Sequence, residues 1–254
     1  MKLIHDTWLV FRRHLLLMTR EPIQIVLGVA QPVIYLILFA PLLKKAFIPL
    51  GASSTTQAYR IYVPGMLAAL ALGSGLYVGF SLLAELSSGV IERARVTSIS
   101  RAALLLGRVL RDVCLIVIQA AIITVLSLPF GLFVRIDYLL LAYLLLALIT
   151  MTTASISYGI ALKIRSAASM GSVINNVAQP LMLLSGTLLP LTLAPIWLQD
   201  ASKVNPFSWA VAGMRAIFAG HIGSPHVWQS MVIMAVLMVV ALAWSTRLFA
   251  RSVR

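Results

Sequence analysis

Six stretches of mostly apolar residues alternate along the chain with shorter, more polar connections. They cover residues 23–43, 61–83, 113–133, 138–162, 173–193 and 228–249. A helix that crosses a bilayer needs roughly 20 such residues. The stretches are continuously apolar and do not alternate with period two, which favours helices over a barrel of strands. The pattern predicts an all-α membrane protein in which residues 1–254 form one domain with six transmembrane helices.

The N-terminal residues 1–21 follow a different pattern, in which apolar residues recur every three or four positions. These residues are Ile4, Trp8, Phe11, Leu15 and Met18, and they share one face of a helix. Arg12 and Arg13 suit contact with anionic lipid, and Pro22 ends the helix because the residue before a proline avoids helical geometry. We expect an amphipathic helix on the inner membrane surface. The alternative is a basic flank that only sets topology.

Composition and charge agree with a membrane protein. Hydrophobic residues make up 61% of the chain and charged residues 11%, with a net charge of +13. A soluble domain is about 45–50% apolar and about 25% charged. The basic residues lie between apolar runs and not on one solvated face, so nucleic acid is not an expected partner. Fourteen of the 20 Lys and Arg residues fall on the N-terminal side of the membrane, which predicts that both termini are cytoplasmic.

The sequence offers no assembled catalytic group. A phosphate-binding G-x-x-x-x-G-K-[ST] loop and an H-E-x-x-H motif are absent, and the single Cys114 excludes an internal disulfide. His221 and His226 flank a turn without a carboxylate or cysteine nearby, so no metal site is expected. All seven acidic residues fall at span ends or in connections, which leaves no obvious carrier for a proton or sodium relay. The energy for any transport is therefore expected to come from elsewhere.

One connection on the inner side, residues 85–112, is too long for a tight turn between adjacent helices. It carries charges of both signs, namely Glu85, Glu92, Arg93, Arg95, Arg101, Arg108, Arg111 and Asp112. A charged helical segment projecting from the inner face suits docking to a soluble partner. A solvated loop that only maintains topology explains the composition equally well.

The second and fifth spans carry unusual side chains. Ser172, Asn175, Asn176 and Gln179 share one face of the fifth span, where amides in lipid are costly unless they find partners. This face either lines a cavity or forms hydrogen bonds between helices. Tyr77 and Phe80 in the second span offer aromatic surface to an amphiphile, or else face lipid. In residues 190–226, prolines prevent one continuous helix and predict short re-entrant or surface helices at the outer side.

The order of these features resembles the type-2 permeases of ATP-binding-cassette (ABC) transporters, in particular the drug-resistance and lipo-oligosaccharide exporter branch. The resemblance covers nearly the whole chain. It is carried by Arg20-Glu21-Pro22, Tyr62-Val63-Pro64-Gly65, Glu85, Gly89, Glu92-Arg93, Ser100-Arg101, Leu106-Gly107-Arg108, Gly186, Pro190, Trp197-Leu198, Asn205-Pro206 and Arg215. Ser100 departs from the pattern, because a proline often precedes the arginine there.

The resemblance implies a dimeric permease in the cytoplasmic membrane, with a separate ATPase subunit that supplies ATP and Mg²⁺; no cofactor is expected in this chain. Residues 85–112 would be the coupling segment. Coupling would involve Glu85, Glu92, Arg93, Arg95 and Arg101, and the substrate path would involve Tyr77, Phe80, Asn175, Asn176 and Gln179. The expected cargo is hydrophobic or amphiphilic, such as a drug, lipid or glycolipid. A non-ATP-driven channel or facilitator is the alternative, and homodimer and heterodimer both remain open.

Overall fold

The computed structural model describes residues 2–20, 23–47, 55–88, 100–187, 191 and 194–252. These residues form ten α-helices and contain no strand, so the all-α class is confirmed for the described part. The helices are α1 Lys2–Arg20, α2 Ile23–Phe47, α3 Thr55–Tyr77, α4 Gly79–Ser87, α5 Arg101–Ser127, α6 Ile136–Ile164, α7 Ala167–Leu184, α8 Ile196–Val204, α9 Pro206–Phe218 and α10 Pro225–Ser252. A short 3-10 turn follows α5.

Four helical segments in the described residues are long and apolar enough to cross a membrane. They are Tyr59–Ser87, Arg101–Phe130, Ile136–Ile164 and Pro225–Arg251. Helices α1 and α2 together form a pair bent by 67°, which gives a fifth segment if it is one broken span. The predicted fifth span falls on α7, which has 18 residues. Six transmembrane helices therefore remain a prediction of the sequence, whereas several membrane-spanning helices are a finding.

The two ends of the bundle are called inner and outer after the topology predicted from the sequence. The inner end carries α1, the last turn of α4 and the first turns of α5, and it flanks residues 89–99, which lie outside the described residues. The outer end carries the start of α3 and helices α8 and α9. Helix α5 begins at Arg101, twelve residues before the predicted third span at 113. The second half of the predicted 85–112 segment is therefore continuous with a membrane-spanning helix.

Helix α1 packs along α5 through a face that coincides only partly with the predicted apolar stripe. It buries Asp6, Val10 and Met18, while Ile4 and Trp8 of the predicted stripe are 76% and 59% exposed. The close approach depends on Gly107 of α5, because a Cβ atom there would lie 2.6 Å from Cγ1 of Val10. The first part of the predicted stripe is thus left free to contact lipid, and contact with the bilayer surface remains a prediction.

The second predicted span is broken at Val78, between α3 and α4. Ser157 of α6 bridges the break: its hydroxyl donates to the Leu76 carbonyl and accepts from the Gly79 amide at 3.0 Å. Backbone groups that leave a helical ladder in an apolar environment need such a substitute partner. The side chain of Ser157 thereby attaches both halves of the broken span to α6.

The outer end is held together by Arg215 of α9. Its guanidinium donates to the carbonyls of Gly186 at 2.6 Å, Ile61 at 3.3 Å and Thr187 at 3.4 Å. Burial lowers the pKa of Arg215 to about 10, so the side chain stays charged at pH 7. One arginine therefore joins α9 to the start of α3 and to the turn after α7. The short helices expected in residues 190–226 are present as α8 and α9, and insertion of either into the bilayer remains a prediction.

Candidate functional site

An open groove of about 560 Å³ runs along the bundle between α2, α3 and α7. Its lining mixes apolar side chains with hydroxyl, phenol and amide groups and contains no charged residue. The lining residues are Gln31, Pro32, Tyr35, Tyr62, Met66, Ala69, Leu70, Gly73, Ser74, Tyr77, Ala178, Gln179, Met182, Leu183 and Thr187. Such a surface can contact a molecule that is largely apolar but carries a few hydrogen-bonding groups.

The residues predicted for the substrate path lie at or beside this groove. Tyr77 and Gln179 line it directly. Asn175 accepts a hydrogen bond of 2.6 Å from the Tyr77 hydroxyl. Phe80 stacks on Tyr77 with ring centroids 6.1 Å apart. The Asn176 amide donates to the Ser172 carbonyl of its own helix at 2.8 Å, so it is exposed but satisfied.

Four polar residues that share one face of α7 are all exposed: Ser172, Asn175, Asn176 and Gln179. In one chain, therefore, this face is largely uncovered, although Asn175 bonds to Tyr77 of α3. Met170, Ile174 and Ala178 form the face that does pack. A polar face next to a groove is open to a ligand or to a second polypeptide.

The inner end contains a buried cluster of charges, and the sequence did not predict that these residues are buried together. Arg108 of α5 pairs with Glu85 of α4. Asp112, only 1% exposed, accepts hydrogen bonds from Arg111 at 2.8 Å and from the Tyr158 hydroxyl at 2.5 Å. A buried carboxylate is tolerated when it is paired and hydrogen-bonded in this way. The cluster joins α4, α5 and α6.

A signal for this cluster was present in the sequence. Arg108 and Asp112 are four residues apart, so they lie on one face of a helix, and that face carries charge where apolar residues would otherwise pack. Tyr158 had no such signal, because a tyrosine in an apolar span is compatible with either a lipid-facing or a buried position.

Both edges of the 89–99 segment are attached to other helices. At the far edge, the Ser100 amide donates to Oδ2 of Asp6 in α1 at 3.0 Å, and its hydroxyl accepts from the Ala103 amide. Arg101 donates to the carbonyl of Ala250 near the end of α10 at 2.8 Å. Ser100, the departure from the family pattern, thus serves as the N-cap of α5.

Of the residues predicted for coupling, Glu85 and Arg101 flank the 89–99 segment at the inner end. Glu92, Arg93 and Arg95 lie outside the described residues. His14 of α1 approaches the same cluster. Burial, followed by the nearby charges of Arg108, Arg111 and Arg13, lowers its pKa to about 4, so His14 is neutral at pH 7.

The described residues form a bundle of long apolar helices with an open groove whose lining is polar but uncharged. At the inner end, charged residues pair with one another and Ser100 caps a helix. Together these features define a membrane transport protein of the permease class. The chain belongs to the ABC-2 type transporter family, whose profile matches residues 5–219. It is a transport permease subunit of an ABC transporter, and this family implies an ATPase partner in the same system.

The relatives of the chain carry permease names. It is 27% identical over 223 residues to the putative transport permease ycf38 of Cyanophora paradoxa, covering 85% of this chain and 75% of the relative. It is 25% identical over 220 residues to the ycf38 protein of Pyropia yezoensis, with the same coverage. It is 27% identical over 232 residues to the daunorubicin resistance ABC transporter permease protein DrrB1 of Streptomyces coeruleorubidus, covering 90% and 80%.

Proposed function

We propose that the chain is the membrane-spanning half of an ATP-driven exporter that moves a hydrophobic or amphiphilic molecule along the groove between α2, α3 and α7. Two copies pack side by side in the cytoplasmic membrane, and both termini of each copy lie in the cytoplasm. A separate ATPase subunit binds the inner end and drives alternating access. The chain itself supplies no catalytic group and no cofactor, and ATP and Mg²⁺ belong to the partner.

The observation that supports this proposal most strongly is the groove itself. Its lining provides phenol, hydroxyl and amide groups among apolar side chains, which suits a drug-like molecule or a lipid more than an inorganic ion. Gln179 contributes an exposed amide to this lining. Exposed amides at this depth are costly in lipid, and a second copy or a bound substrate would remove that cost.

The inner end supports coupling to an ATPase. A coupling segment can transmit force only if its ends are firmly attached. Glu85 is paired with Arg108, and the Ser100 amide donates a hydrogen bond to the Asp6 carboxylate of α1. We propose that residues 89–99, with Glu92, Arg93 and Arg95, dock in a groove of the ATPase through charge-assisted hydrogen bonds. The described helices would then carry the shift to the groove as rigid elements.

Replacing Gln179 by leucine is expected to lower export of the natural substrate severalfold, with a smaller effect for Asn176→Leu. The reason is position: Gln179 lines the groove, whereas Asn176 is satisfied by the Ser172 carbonyl. Export assays in cells that express the chain with its ATPase would measure both variants. Unchanged export together with a lowered melting temperature would instead assign the amides to helix packing.

Reversing the charge of Glu92 to lysine is expected to separate ATP hydrolysis from export while the protein stays inserted. A mixed-sign contact loses its register when one charge is inverted, because like charges then face each other. ATPase activity and export would be measured on the same membranes. Export at the wild-type level by this variant contradicts the proposed role of the coupling segment.

A channel or facilitator built on the same bundle is the second candidate, favoured by the openness of the groove in a single chain. Co-purification separates the two. An ATPase subunit that remains bound in stoichiometric amount supports the exporter. A stable chain that conducts solute on its own supports the facilitator.

A further inference from the structure

At its inner end the groove is lined by Tyr77 of α3, whose hydroxyl bonds to Asn175 of α7. Tyr77 is the last residue of α3 and lines the groove, and Asn175 lies one turn before the lining residue Ala178 on α7. The 2.6 Å hydrogen bond from the Tyr77 hydroxyl to Oδ1 of Asn175 joins α3 to α7 at this level. This contact therefore lies beside Tyr77, the innermost residue of α3 that lines the groove.

Phe80 extends the barrier by one more turn toward the inner end. Its ring stacks on Tyr77 with an angle of 16° between the ring planes. Its Cζ atom lies 3.7 Å from the position that a Cβ atom would take on Gly171 of α7. Because Gly171 and Asn175 are one helical turn apart, the two aromatic rings contact successive turns of α7.

The two rings lie on opposite sides of the helix break. Tyr77 precedes Val78 and Phe80 follows it, while Ser157 of α6 holds the break through one hydroxyl. A tilt of α4 about Val78 would move Phe80 relative to Tyr77 without disturbing the rest of α3. Helix α4 is only nine residues long, and near its other end Glu85 is paired with Arg108 at the edge of the coupling segment.

We propose that the Tyr77–Asn175 hydrogen bond is a latch that closes the inner end of the groove, and that a tilt of α4 about Val78 weakens this latch by drawing Phe80 away from the Tyr77 ring. The proposal rests on the proposed function, since it takes the groove as the substrate path. Residues 85–88 and Phe80 belong to the same short helix, so a pull on the coupling segment reaches the latch over two helical turns. Tyr77 and Asn175 act here as gating residues.

The latch can be tested by chemical accessibility without knowledge of the substrate. In a Cys114→Ala background, Ser74→Cys places a reporter thiol in the groove one turn outside Tyr77. A membrane-impermeant maleimide is added to inside-out vesicles that contain the chain with its ATPase partner, without nucleotide. Tyr77→Phe keeps the ring and removes only the hydroxyl. The thiol is expected to react about fivefold faster, the shift in an open–closed equilibrium that the loss of one hydrogen bond produces.

Two further variants make the result specific. Asn175→Ala is expected to raise the rate by the same factor, and the double variant is expected to react no faster than either single one, because both remove one contact. Tyr143→Phe is the matched control. Its hydroxyl also bonds between helices, to Thr124 at 3.1 Å, but away from the groove, so the rate should not change.

A rate in Tyr77→Phe equal to that of the parent would overturn the latch, and so would effects of Tyr77→Phe and Asn175→Ala that multiply. Either result is distinct from a failure of the proposed function. The labelling experiment reports closure of the groove and requires no solute movement, whereas ATP-dependent flux in the same vesicles tests transport. If the labelling rates change as expected but the complex moves no solute, the latch proposal stands and the exporter proposal is refuted.

Discussion

Replacing Gly65 by alanine is expected to disturb the outer end and to lower the free energy of unfolding by about 2–3 kcal/mol. This value lies in the upper part of the range for an overpacked core. A Cβ atom at this position would lie 2.2 Å from the Thr187 carbonyl oxygen and 3.0 Å from Nη2 of Arg215. The backbone oxygen cannot rotate away, so the turn after α7 has to move. That movement would also disturb the hydrogen bonds of Arg215 to Gly186 and Thr187.

The matched control is Gly73→Ala, two turns further along the same helix. A Cβ atom there meets nothing within 4 Å, so this variant should be neutral or slightly stabilising, since alanine is the better helix former. The measurement is the midpoint of thermal denaturation of the purified protein in detergent. Equal midpoints for the two variants would show that the close contact at Gly65 has no energetic consequence.

Replacing Asp112 by alanine is expected to cost about 3–5 kcal/mol, because it removes the buried carboxylate of an ion pair together with its hydrogen bonds. Asp112 is 1% exposed and accepts from Arg111 and Tyr158, so two helices lose their connection at the inner end. We expect poor yield of monodisperse protein and a large fall in the denaturation midpoint. Asp112→Asn should retain more stability, since its amide oxygen can still accept from Tyr158.

Asp137→Ala provides the comparison, because Asp137 also pairs with an arginine. The side chains of Arg135 and Asp137 are 73% and 52% exposed, and an exposed pair contributes about 0–1 kcal/mol. Both variants remove an aspartate paired with an arginine, one buried and one exposed. If both lowered the midpoint equally, the stabilising role assigned to the inner charge cluster would be wrong.

The class of the fold follows from the sequence because lipid imposes a simple rule. Every backbone group must be satisfied within the segment, so long apolar runs can only be helices or closed barrels. The runs at 138–162 and 228–249 correspond to α6 and α10 with ends shifted by a few residues. Helix α5 begins at Arg101, twelve residues before the predicted third span, in a stretch whose charges Arg101, Arg108, Arg111 and Asp112 fitted either a charged helical segment or a solvated loop. In the structure, the last three of these are buried or half-buried.

The face of α1 shows why periodicity alone is not sufficient. Ile4 and Trp8 belong to the more apolar stripe, yet the packed face contains Asp6 and Val10. The choice depends on Gly107 and Ser100 of α5, which accept a close helix and a capping carboxylate. Such complementarity lies in the partner helix and is not visible in the periodicity of α1 itself.

The residues predicted for the substrate path illustrate what helical spacing can and cannot indicate, and their role in transport stays a prediction. The common face of Asn175, Asn176 and Gln179 follows from helical spacing, and these residues are exposed as that spacing predicts. The Tyr77–Asn175 hydrogen bond depends on how α3 and α7 are brought together, 98 residues apart in the chain. The break at Val78 was also not predicted, because its partner Ser157 is an ordinary small residue in the sequence.

Reconstitution in vesicles tests the central claim most directly, namely that the chain is a conduit powered by an ATPase bound to its inner end. The purified chain is incorporated with and without its ATPase subunit, and accumulation of a fluorescent amphiphilic probe against its gradient is followed after addition of ATP and Mg²⁺. The account predicts uphill movement only when both subunits and ATP are present. Uphill movement by the chain alone would contradict it.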